Sequence, residues 1–89
     1  MESSKCVEIS VELFAQAKEL AGSKGGKLTV NQTIQFEELI SVISNYFGLE
    51  ALQKTFILAL NEDYLENSEV ILCLKDNDVV AVIPPLSGG

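Results

Sequence analysis

The sequence predicts an α+β fold, a mixed sheet of four to five strands carrying one principal helix and at least one short one. Three patterns predict it. Val7, Ile9, Val11 and Leu13 alternate with Glu8, Ser10 and Glu12, the period of a strand with one buried face. Phe36, Leu39, Ile40, Ile43 and Phe47 recur at helical spacing, with Glu37, Glu38, Ser41 and Ser44 between them and Gly48 as a stop. The run 79–83 is apolar on both faces, which marks an interior strand. One long helix is enough to cover one face of a small sheet, and the other face is left without a helix.

In chain order, the alternating strand occupies residues 7–14. Good helix formers follow through Ala21, and Gly22 ends that short helix. The stretch 24–27, with its paired glycines, reads as a turn into a short strand at 28–30 that pairs antiparallel with the first. A connection from Val30 to Phe36 leads to the principal helix, for which Asn31, Thr33 and Gln35 are the candidate caps. Acids in its first turn suit the helix dipole. Residues 56–60 are β-like, Asn61-Glu62-Asp63 is a turn, and Tyr64-Leu65 begins a short strand. The stretch 70–74 fits either a strand or an irregular segment. Asp76-Asn77-Asp78 then turns the chain into the run 79–83.

With 89 residues the chain makes one domain, residues 1–89, with a modest core and a flexible tail at 84–89. The hydrophobic content of 47% and mean hydropathy of +0.25 are high for its size, yet no apolar stretch approaches the ~20 residues of a membrane span. No signal peptide is visible at the N-terminus, and a cytosolic location is expected. Cys6 and Cys73 with no histidine do not complete a four-ligand zinc site. Both are expected to be reduced, Cys6 at a strand start and Cys73 as a buried filler.

The net charge of −7 comes from 13 acids against 6 lysines, with no arginine. A chain this acidic lacks the phosphate-neutralising charge of a nucleic-acid binder. Zero histidine also removes the usual general base at neutral pH, which argues against self-contained catalysis.

The chemistry therefore points to the end of the chain, Pro84-Pro85-Leu86-Ser87-Gly88-Gly89. Two prolines fix φ, cannot extend a sheet ladder, and launch the chain outward. Gly88 and Gly89 carry no Cβ, so the last peptide fits a channel too narrow for side chains. Six extended residues reach at most ~20 Å, enough to carry a terminal carboxylate into a partner's active site. That carboxylate is ionised at neutral pH and, once positioned, is a nucleophile toward the α-phosphate of ATP. No phosphate-binding loop is present, so a partner must supply the nucleotide site.

The order strand, short helix, strand, long helix, strand, short strand, strand suits a β-grasp, the ubiquitin-like architecture, with its first and last strands parallel neighbours at the centre. Within that fold the chain resembles the family of small, sulfur-carrying subunits of molybdopterin synthase. The resemblance rests on the stretches 13–20, 59–65 and 75–89, the last being the most specific. Lys18 stands where the family commonly has arginine, and the connection from Val30 to Phe36 is longer than usual. The resemblance implies that an activating enzyme of the ubiquitin-activating (E1-like) type adenylates the Gly89 carboxylate with its own ATP. Sulfur then replaces AMP, and the thiocarboxylate supplies sulfur to a pterin precursor in the large synthase subunit. No cofactor is expected on the chain alone, and neither nucleic acid nor membrane is an expected partner.

Two rival readings follow from the same tail. One is another carboxyl carrier of this fold, serving the thiamine pathway, tRNA thiolation or lysine conjugation; the other is a protein-interaction domain with an inert tail. A plant-type iron–sulfur β-grasp needs four thiolates and is excluded by the two cysteines. Phe14, Lys18 and Ile83 are the candidate partner-facing residues. Phe14 and Ile83 end the two central strands at the tail's exit, where a large apolar residue is either core or interface.

Overall fold

The computed structural model describes residues 5–50, 57–65 and 71–84. Strand β1 (Cys6–Leu13) alternates exposed and buried residues, as its sequence does. It leads into the short helix α1 (Ala15–Ala21), which Gly22 closes in the left-handed conformation. Strand β2 (Gly25–Asn31) returns antiparallel to β1 in a register pairing Ile9 with Leu28. It is longer than the sequence suggests: Gly25 and Gly26 belong to the strand, and the turn contracts to Gly22–Lys24. Strand β3 (Thr33–Gln35) precedes α2 (Phe36–Phe47), which Gly48 closes as α1 is closed. The N-cap of α2 is Gln35, with no side-chain capping bond, so Asn31 and Thr33 do not cap it.

Strands β4 (Ile57–Leu60), β5 (Asp63–Leu65), β6 (Ile71–Cys73) and β7 (Val79–Ile83) complete the chain. Five strands form one sheet in the order β2-β1-β7-β4-β5, with β1 and β7 parallel at its centre and the other pairs antiparallel. Strands β3 and β6 form a separate two-stranded sheet. The connection between Val30 and Phe36 that looked long is thus occupied by structure, and the ambiguous stretch 70–74 holds a strand in its described part.

The core forms where the odd residues of β1 meet the apolar stripe of α2. Val7, Ile9, Val11 and Leu13 are buried with Leu39, Ile43, Leu58, Val80 and Val82. Burying such side chains contributes about 1.5–3 kcal/mol each, which sets the register of every strand carrying them. Only one sheet face is served in this way. On the other, Val79, Ala81 and Ile83 of β7 stay half-buried although they are flanked by strands on both sides. The interior strand predicted at 79–83 is therefore interior within the sheet but not covered on both faces.

Cys73 corrects an expectation. Its thiol is free and exposed, because the buried position of β6 is taken by Leu72 and a strand cannot turn successive side chains to the same face. Cys6 is also free and exposed at the start of β1.

Candidate functional site

The parallel pairing of β1 with β7 brings the chain's C-terminal exit beside the end of its first strand. Leu13 lies opposite Val82, and the next residue, Phe14, donates its backbone N–H to the Val82 carbonyl at 3.3 Å. Ile83 is opposite Ile57 in the antiparallel pair β4–β7. Because alternate residues share a face, Phe14, Ile83 and Ile57 form a row across three strands on the face that α2 leaves open. Phe14 is 46% exposed and Ile57 is 41% exposed, and Ile83 is half-buried between them. Behind this row Ala81 pairs with Ala59, and Ala59 with Tyr64, which is 64% exposed. Half of this face is thus apolar, exposed at Phe14, Ile57 and Tyr64, half-buried at Ala81 and Ile83 and buried at Ala59, while Glu8, Ser10 and Glu12 make the β1 portion polar.

Phe14 is not part of the core. Even-numbered positions of β1 point away from α2, and Phe14 continues that parity into the N-cap position of α1. Lys18 is exposed on α1 about one turn further on, its backbone N–H reaching the Phe14 carbonyl at 3.4 Å. Phe14, Lys18 and Ile83 therefore gather at one corner. Sequence reasoning missed Ile57 and Tyr64, since only the strand register reveals that they share a face with Ile83. Their signal was the apolar alternation of Ile57 and Ala59, submerged in a run apolar at every position.

Pro84, which the sequence reading places at the start of the tail, is buried against the body of the protein. Pro85, Leu86, Ser87, Gly88 and Gly89 lie outside the described residues. Among the described residues, no cluster of three or more histidine, cysteine or acidic residues is placed to hold a metal, and no helix is long and apolar enough to cross a membrane.

The opposite end of the sheet is built for rigidity. Asn61, at left-handed φ +51, and Glu62, at φ +76, make the tight turn from β4 to β5. The Asn61 carboxamide donates to Asp78 Oδ1 at 3.1 Å and accepts the Val79 N–H at 2.9 Å. Asp78 also receives the Lys75 N–H on Oδ2 at 2.8 Å, and its backbone carbonyl accepts the Ser10 N–H at 2.8 Å. Asp76 adds a bond from the Glu8 N–H at 2.9 Å. These bonds join β1, the end of β4 and the entry to β7, and so align the three strands whose other extremities meet at the exit corner. The ion pair of Lys27 with Glu8, at 3.9 Å and largely exposed, adds little.

Residues 11–89 match the ThiS family. The chain is 37% identical over 83 residues to the molybdopterin synthase sulfur carrier subunit of Drosophila erecta, covering 93% of this chain and 92% of that protein. Among solved structures, it resembles a protein–protein complex of subunits 1 and 2 of molybdopterin-converting factor from Helicobacter pylori, with a TM-score of 0.61 and 25% identity over 93% of this chain and all of the matched one. The small archaeal modifier protein 1 from Methanosarcina acetivorans shares the fold, with a TM-score of 0.70 and 23% identity over 96% of this chain and 99% of that one.

Proposed function

The chain belongs to the ThiS family, and from that premise we propose that it is the sulfur carrier subunit of a molybdopterin synthase, serving molybdenum cofactor biosynthesis. The supporting observation is the central parallel pair: it brings Ile83, six residues before the last, beside an exposed apolar corner, so a partner that grips Phe14, Ile83 and Ile57 is well placed to receive the tail. The chain is a substrate and shuttle, and the catalytic residues belong to its partners.

The reaction sequence starts on an E1-like enzyme that binds ATP. A carboxylate oxygen of Gly89 attacks the α-phosphorus, pyrophosphate leaves, and the product is an acyl-adenylate. A sulfide-level sulfur nucleophile then displaces AMP at the carbonyl carbon and leaves a thiocarboxylate. Gly88 and Gly89 admit this chemistry because no Cβ blocks the approach to the carbonyl. In the second partner, the large synthase subunit, the thiocarboxylate sulfur bonds to a carbon of the pterin precursor, and water then cleaves the resulting thioester, leaving the sulfur on the precursor and returning the Gly89 carboxylate. Pro85, Leu86 and Ser87 supply the reach, while Pro84 holds the base of the tail.

Mass spectrometry of the C-terminal peptide tests this. After incubation with the activating enzyme, ATP and a sulfur donor, the peptide is expected to gain the mass difference between sulfur and oxygen, and a chain lacking Gly89 is expected to gain nothing. An unchanged full-length peptide in an assay that loads a control carrier overturns the proposal.

A further inference from the structure

The strand-to-helix corner that carries Phe14 turns on one residue. Phe14 is fully extended, at φ −125 and ψ 152, and its N–H is bound to Val82. The helix α1 follows at once, with the Ala17 N–H donating to the Phe14 carbonyl at 3.1 Å. Ala15 makes the change of direction by adopting a left-handed φ of +53. Elsewhere among the described residues, positive φ falls on Gly22, Gly25 and Gly48, on Asn61 and Asn77, and on Glu62 in its tight turn. Glycine has no Cβ penalty there and asparagine tolerates the region through local hydrogen bonds, whereas alanine has neither advantage. The Ala15 methyl is exposed, so core packing does not explain its presence.

We infer that Ala15 is a positioning residue, which fixes the direction in which Phe14 is presented to the large synthase subunit. The left-handed well open to a residue with a Cβ is small, while glycine roams a wide region of positive φ. A Cβ at this position therefore holds the Phe14 peptide plane, and with it the ring, in one orientation on the open face beside Ile83. Strain is retained at the corner because it narrows the ensemble that the partner must otherwise order. The inference rests on the proposed docking role of Phe14.

Three variants of the full-length chain, titrated calorimetrically against the large subunit and followed in thermal unfolding, test it. Ala15→Gly relieves strain but frees the corner: its unfolding midpoint is expected to hold or rise while affinity falls about two- to tenfold. Ala15→Asn suits the left-handed region yet keeps a Cβ, and is expected to bind as the parent does. Phe14→Ala is expected to bind more weakly than either. If Ala15→Gly binds like the parent while Phe14→Ala does not, the positioning role is wrong and the docking role of Phe14 stands. Parental binding by Phe14→Ala removes the docking role itself. A purely structural Ala15 moves the midpoint downward on substitution by glycine and leaves the affinity of the folded fraction unchanged, which also overturns the inference.

Discussion

Asn61 and Asp78, 17 residues apart in sequence, are joined side chain to side chain at 3.1 Å, and between them they close the β4–β5 turn onto the start of β7. The same Asn61 carboxamide accepts the Val79 N–H at 2.9 Å, and its backbone N–H donates to the Val79 carbonyl at 2.8 Å. Asp78 is buried, so removing its partner leaves a carboxylate underbonded away from water. Asn61→Ala also places a poorly suited residue at positive φ. We expect Asn61→Ala and Asp78→Ala each to cost about 2–3 kcal/mol in denaturant unfolding. The double variant is expected to cost clearly less than the sum, since both members act in one network.

Gly25 has a tighter constraint. Its φ is +125, and a Cβ built there overlaps the Val11 carbonyl oxygen across the β1–β2 ladder. The backbone oxygen has no freedom to retreat without breaking strand pairing. Gly25→Ala is therefore expected to cost about 3 kcal/mol or more. Gly22 also has positive φ, but open space surrounds its missing Cβ. Gly22→Ala is expected to cost only about 1 kcal/mol, and equal melting temperatures for the two variants would contradict the overlap.

Ser44 is fully buried on α2, and its hydroxyl finds no hydrogen-bond partner among the described residues. Ser44→Ala removes that polar atom and substitutes a better helix former. The expected result is unchanged stability or a gain of up to about 1 kcal/mol in urea unfolding. A loss of more than about 1 kcal/mol would show that the hydroxyl is bonded after all.

Phe14 separates folding from docking. With 46% of its surface already exposed, truncation to alanine removes about half the buried area that a core phenylalanine would lose, and the stability cost is expected to be about 1–2 kcal/mol rather than the ~3–5 kcal/mol of a core phenylalanine. Affinity for the large synthase subunit is expected to fall about tenfold or more, the behaviour of an aromatic anchor. Ile57→Ala, in the same row, is expected to lower affinity as well. A variant that melts many degrees lower and binds normally when folded would return Phe14 to the core.

Local pattern was sufficient for the elements themselves. The alternation in β1 and the helical spacing in α2 each record a one-sided burial, and both survive unchanged because nothing elsewhere in the chain competes with them. The left-handed stops at Gly22 and Gly48 were equally local. The proposal that the tail is the reactive end rests on equally local evidence: two prolines and two glycines state their backbone preferences without any neighbour's help.

What the sequence left undecided depends on which residues face one another across the sheet. Extension of β2 back to Gly25 needs the β1 ladder beside it, and the pairing of β3 with β6 joins segments that have no pattern of their own strong enough to announce a strand. The exposure of Cys73 and the burial of Pro84 follow from where the second sheet and the last strand settle, and composition favoured the reverse for Cys73. Phe14 is outside the core because a single helix covers a single face. Periodicity tells which side chains share a face, but only the assembled layers determine which of the two faces is covered.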